Sequence, residues 1–199
     1  EFRGVIRVSY AILFAIFVAI FTFSNGVVVL LFSETYISAL PIFKIYLLMV
    51  LMQAFNLGVP LTSADKQGEI VKAGIWMVGF NAVFLLLAAR FLQFNYLALV
   101  PVLASVLMNI LLLRSIKKIY NQASAFSIMP LRYMSFTLIP AVAVYGLFTL
   151  LQSMLPLTLV LKTVLLGPAC FTVMLGICIW LIRVDKRWDS ARLRVTEEK

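Results

Sequence analysis

The side chains that could do chemistry in this sequence are few, and most are neutral. Gln53 and Asn56 stand three residues apart, and Ser105 and Asn109 four apart. On a helix each pair shares one face. Asn81 sits alone in the middle of an apolar run. Such amides and hydroxyls have two uses inside a membrane. They bridge neighbouring helices, at roughly 0.6–2 kcal/mol each, or they line a cavity that accepts sugar hydroxyls. Arg3 and Arg7 precede the first long apolar run. A guanidinium matches phosphate geometry, so the pair suits a pyrophosphate headgroup. Anchoring the run at the membrane surface accounts for them equally well.

The acids lie elsewhere. All eight Asp and Glu residues fall outside the apolar runs. A carboxylate within a span is the usual device for coupling transport to protons or cations. Glu34, at the end of the first run, is therefore the coupling candidate this chain offers. There is no histidine, and the two cysteines, Cys170 and Cys178, are eight residues apart in one run. That spacing is ~12 Å of helix rise, too far for a disulfide. Two thiols without further ligands also make a poor metal site. Paired catalytic carboxylates and a Ser–His–Asp set are missing. The chain is expected to be no enzyme and to hold no metal and no cofactor.

Of the 199 residues that carry these side chains, 63% are hydrophobic and 13% are charged. A soluble core of this length cannot hide so much apolar surface. The net charge of +9 does not point to nucleic acid, because the bases cluster at the ends of apolar runs. Six such runs are long enough to cross a bilayer as helices: 8–33, 45–62, 70–89, 96–113, 133–154 and 157–182. They are continuous, without the alternation of a β-barrel strand. The expected fold is an all-α polytopic membrane protein with six transmembrane helices. Pro140 and Pro168 fall deep in their spans, where they favour kinks, while Pro101 falls in a first turn, where proline is tolerated. Gly74, Gly79 and Ala73 would permit close helix packing in the third span.

With six spans, fourteen Lys and Arg residues fall on one side, against Lys44, Arg90 and Lys162 on the other. That bias predicts cytoplasmic termini. Lys44, Arg90 and Lys162 then snorkel at the outer surface. Residues 114–132 form the longest connection, read either as a short interfacial helix or as a loop capped by Pro130. The segment 183–199 reads as a basic cytoplasmic tail, a solvated helix or frayed end that could touch lipid headgroups. The chain begins with Glu1 rather than Met and is expected to be part of a larger protein.

The order of events between about 10 and 120 resembles the C-terminal half of polysaccharide flippases, of the multidrug/oligosaccharidyl-lipid/polysaccharide exporter superfamily. In that family one span ends in a pattern like LFG-x-x-Y-x-x-A and the next begins P-x-[LF]-[RK]-I. Leu31, Phe32, Tyr36, Ala39, Pro41, Phe43, Lys44 and Ile45 match, with Ser33 in place of the glycine. The family's next loop carries a G-[KR]-x motif, and the following span a central Asn. Ala64, Asp65, Lys66 and Gln67 take that loop's place without its glycine, and Asn81 takes the place of the Asn. The glycine-rich motif that follows in the family is absent from 96–104.

The resemblance implies the last six helices of a fourteen-helix, two-lobe flippase. Residues 1–120 would be four helices of the C-terminal lobe, 121–182 two additional helices and 183–199 the tail. It implies movement of lipid-linked oligosaccharide, carried on a polyprenyl diphosphate, across the inner membrane by alternating access. Its partners would be membrane lipid, that substrate and other polysaccharide assembly proteins. A drug or small-molecule antiporter of the same superfamily is the alternative. A polysaccharide polymerase or ligase would need a large outer loop, and none of the outer loops is long. A structural membrane subunit remains open on the sequence.

Overall fold

The computed structural model describes the backbone of residues 2–53, 57–91, 94–120 and 131–197, and the side chains of 5–53, 57–91, 96–119 and 133–184. Among the described residues there is no strand. The helices are α1 (Phe2–Thr22), α2 (Ser24–Phe32), α3 (Leu40–Gln53), α4 (Gly58–Ser63), α5 (Gln67–Phe91), α6 (Phe94–Leu97), α7 (Leu99–Tyr120), α8 (Leu131–Met154) and α9 (Leu159–Glu197). A 3-10 helix, Glu34–Ala39, joins α2 to α3. Helix is the form in which a lipid-facing chain satisfies every peptide group within its own segment. Six stretches are long and apolar enough to cross a membrane: Val5–Thr22, Glu34–Ser63, Gln67–Phe91, Leu99–Ile119, Tyr133–Met154 and Leu159–Val184. The chain is a membrane-spanning, all-helical protein.

The first span differs from the single helix expected over 8–33. It breaks at Phe23, whose φ and ψ are −103° and 19°. Backbone hydrogen bonds continue across the break: Phe23 N–H donates to Ala19 C=O at 3.1 Å, and Val27 N–H to Phe23 C=O at 2.9 Å. The cause lies in the next three residues, Ser24, Asn25 and Gly26, which bend helices readily. Gly26 also permits a close crossing with α9. A Cβ there would stand 1.7 Å from Thr163 Oγ1 and 3.2 Å from Leu159 O. Thr163 satisfies its own hydroxyl by donating to Leu159 C=O at 2.9 Å.

Two turns place non-glycine residues at positive φ. Ser33 has φ 83° and ψ 169°, a region that residues with a Cβ rarely enter. It ends α2 and starts the 3-10 helix. Asp65, at φ 57°, ends α4. Its N–H donates to Thr62 C=O at 3.1 Å, and Lys66 N–H to Leu61 C=O at 2.9 Å. These are the paired bonds of a Schellman turn, in which the left-handed position usually belongs to glycine.

The helices pack in two groups that share α1. In the first, α1, α8 and α9 bury Tyr10, Phe14, Val18, Phe23, Tyr133, Val144, Phe148, Met174 and Cys178 in one core. An aromatic series on α1 runs Tyr10, Phe14, Phe17, Phe21 at centroid spacings of 5.1, 6.3 and 5.5 Å. In the second, Ile6 of α1 meets Leu57, Leu61, Ala73, Leu112, Leu113 and Ile116 from α4, α5, α7 and the residue before α4. The first core joins helices on both sides of residue 120. Gly74 and Gly79 have no atom within 4 Å of an added Cβ. They do not mediate the close packing expected of them; Ala73 alone of that set is buried. Pro140 and Pro168 lie inside α8 and α9, which continue through them.

Candidate functional site

A cavity of about 370 Å³ opens between α3, α4, α5 and α7, within the range of small-molecule sites. Its lining includes Gln53 from α3 and Ser105 and Asn109 from α7, with Met49, Met52 and Met108 beside them. α3 and α7, the second and fourth spans, run in the same direction and pack against each other to produce this arrangement. Met49, Met52 and Gln53 fall on one helix face at i, i+3 and i+4, as do Ser105, Met108 and Asn109 on the other. Leu57, Gly58, Ile70 and Leu112 complete the wall. The site therefore presents two amides and a hydroxyl among polarizable thioethers, which adapt to irregular ligand shapes. It can bind a polar, uncharged group, and it holds no acid or base for covalent chemistry.

The helix-bridging role is filled by other residues. Tyr10 on α1 and Thr137 on α8 bring their hydroxyls to 3.2 Å. Tyr133 OH donates to Cys178 C=O on α9 at 3.0 Å. Ser115 Oγ on α7 donates to Glu69 Oε2 on α5 at 2.9 Å. Lys162 caps α8 by donating to Gln152 C=O, while Gln152 Nε2 reaches Thr22 C=O at 3.5 Å. None of Gln53, Asn81, Ser105 or Asn109 makes a side-chain hydrogen bond among the described residues. Three of those four face the cavity instead.

The remaining sequence candidates do not gather there. Asn81 lies on α5 away from the lining, with Oδ1 buried and without a hydrogen-bond partner among the described residues. Glu34 is exposed on the 3-10 turn, outside the cavity. Arg7 is buried at 8% exposure near the start of α1 and is not among the lining residues. Asn56 and the side chain of Arg3 lie outside the described residues, as does the connection 121–130. Among the outer bases, Lys44 lies over the Phe21 ring at 5.3 Å, a cation–π contact rather than simple snorkelling. Arg90 is exposed at the end of α5.

Sequence reasoning missed the methionines and Glu69. The methionine signal was available, since Met49 and Met52 share the face of Gln53. The Glu69–Ser115 contact joins residues 46 positions apart and has no local signature. Among the described residues no group of three His, Cys, Asp or Glu could hold a metal. No family model, curated protein or solved structure matches the chain.

Proposed function

We propose that this chain is part of a flippase that moves lipid-linked oligosaccharide repeat units across the inner membrane. The observation that carries the reading is the convergence of Gln53, Ser105 and Asn109 on one open cavity. Amides and hydroxyls are the groups that replace water around sugar hydroxyls, and their desolvation is costly unless a ligand or water meets them. A headgroup can shelter there while its polyprenyl tail remains in lipid. No covalent step is required.

Two backbone details support the family resemblance. The pattern it rests on has glycine where this chain has Ser33, and that residue adopts φ 83°. The next loop of the pattern also has a glycine, and here Asp65 adopts φ 57°. Both residues hold a backbone conformation that favours glycine. The charge bias supports cytoplasmic termini. In this reading Arg3 meets the diphosphate at the inner surface, Arg7 being buried, and other polysaccharide assembly proteins deliver and consume the substrate.

Deleting the coding region is the direct test. Surface polysaccharide should disappear while lipid-linked repeats accumulate on the inner leaflet. Unchanged surface glycan would overturn the reading. The three methionines of the lining favour one second reading, an antiporter for apolar small molecules. Loss of drug resistance with intact surface glycan would select it.

A further inference from the structure

Where α5 begins and α7 ends, positive charge from two helices collects around one carboxylate. The side chain of Lys72 is 71% exposed, and its ammonium donates to Glu69 Oε1 at 3.0 Å. Ser115 Oγ on α7 donates to the other oxygen, Oε2, at 2.9 Å, so Glu69 marks the seam between the helices. Lys118, one turn beyond Ser115, is exposed and near enough to act on the same carboxylate. Two ammonium groups therefore flank a single carboxylate whose oxygens are both already bonded. Over residues 65–72 and 114–120 together, five bases stand against two acids, Asp65 and Glu69.

Further along α5 the same exposed face turns apolar. Ile75, Trp76 and Gly79 follow Lys72 at i+3, i+4 and i+7, so all four share one face. Ile75 and Trp76 are 67% and 68% exposed. A Cβ added at Gly79 would meet no atom within 4 Å, which leaves a shallow gap there. From the surface inward the face carries a base, an indole ~6 Å deeper and the gap ~10 Å deeper. That order matches the phosphate, ester region and acyl chain of a phospholipid. An indole suits the ester region because its ring is apolar and its N–H polar. Offsetting the dipole at the end of α7 and pairing with Glu69 are structural uses for the two lysines. Neither use selects among lipids.

We propose that this end of α5 and α7 binds an anionic phospholipid, its phosphate held by Lys72 and Lys118 and one acyl chain lying on Ile75, Trp76 and Gly79. Charge complementarity selects the headgroup, and the bilayer presents it at the matching depth. None of these residues lines the cavity, so the site stands or falls apart from the transport reading.

The chain has three tryptophans, so W180F/W188F leaves Trp76 as the only one. The full chain with this pair is reconstituted in vesicles of phosphatidylcholine and phosphatidylglycerol. Bromine, a quencher of indole fluorescence, is carried on the acyl chains of one lipid or of the other, at equal mole fraction. Trp76 quenching should show about a fivefold preference for phosphatidylglycerol, what one net base at a membrane surface supports. K72Q/K118Q should abolish the preference. E69Q should raise it, because it removes the opposing charge and keeps an acceptor for Ser115. R183Q/K186Q, which removes bases at the end of the last span on the same side, should leave it unchanged. Cys170 and Cys178 are fully buried and certify each variant by staying unlabelled. If W180F/W188F fails that check, native mass spectrometry compares the unaltered chain with K72Q/K118Q; the first should retain one phosphatidylglycerol that the second loses. Equal quenching by the two lipids, a preference that survives K72Q/K118Q, an equal fall in R183Q/K186Q, or equal retention by mass would each overturn the site.

Discussion

Ser33 is the residue whose side chain and backbone disagree most. Its φ of 83° and ψ of 169° belong to a region that costs roughly 1–3 kcal/mol for a residue with a Cβ. S33G should therefore raise stability by about 1 kcal/mol, read as a higher midpoint of thermal unfolding in detergent; a lower midpoint would remove the strain argument. Gly26 is the opposite case. Any Cβ at 26 overlaps Thr163, so G26A should cost ~1–3 kcal/mol through overpacking. Removing the Thr163 hydroxyl takes away the nearest atom, so G26A/T163A should be less destabilised than the sum of the single variants. Neither position was legible in advance for its true role. Ser33 stood out only as a departure from a pattern, and Gly26 depends on a contact across 137 positions of chain, which no local spacing reports.

At the scale of elements, the two turns and the two packing groups follow different physics. The α4–α5 turn is local: Asp65 in the left-handed region completes a Schellman pair with Thr62 and Leu61. D65G should be neutral or stabilising by up to about 1 kcal/mol, while D65V should lose ~1–2 kcal/mol, both measured by thermal unfolding. The α1–α8–α9 core is non-local. Its buried Tyr133–Cys178 and Tyr10–Thr137 bonds should make Y133F cost about 1 kcal/mol, near the ordinary range for polar contacts between membrane helices. Apolar run length was enough to find six spans, because lipid imposes helix on any long uncharged segment. The break at Phe23 was not legible, since Ser and Gly occur in straight membrane helices as well. Which amides bridge helices and which line a space was equally hidden. Gln53 and Asn109 look no different in sequence from residues that bond across an interface; only the register of α3 against α7 separates them.

For the whole molecule, one side of the bundle is tightly built and the other holds space. The α1, α8 and α9 core is rich in aromatic contacts, whereas α3, α4, α5 and α7 surround the cavity. That asymmetry suits a scaffold carrying a site. The orientation inferred from the lysines and arginines is tested by E34C, which a membrane-impermeant thiol reagent should label from outside intact cells; labelling only after permeabilisation would reverse it. The central claim is that the amide-lined cavity receives the sugar headgroup. Its most direct test is surface polysaccharide in cells whose only copy of the protein carries Q53A and N109A, at a membrane level equal to the parent's. The account predicts loss of most surface glycan with lipid-linked repeats retained on the inner leaflet. Normal surface glycan in the double variant would contradict it.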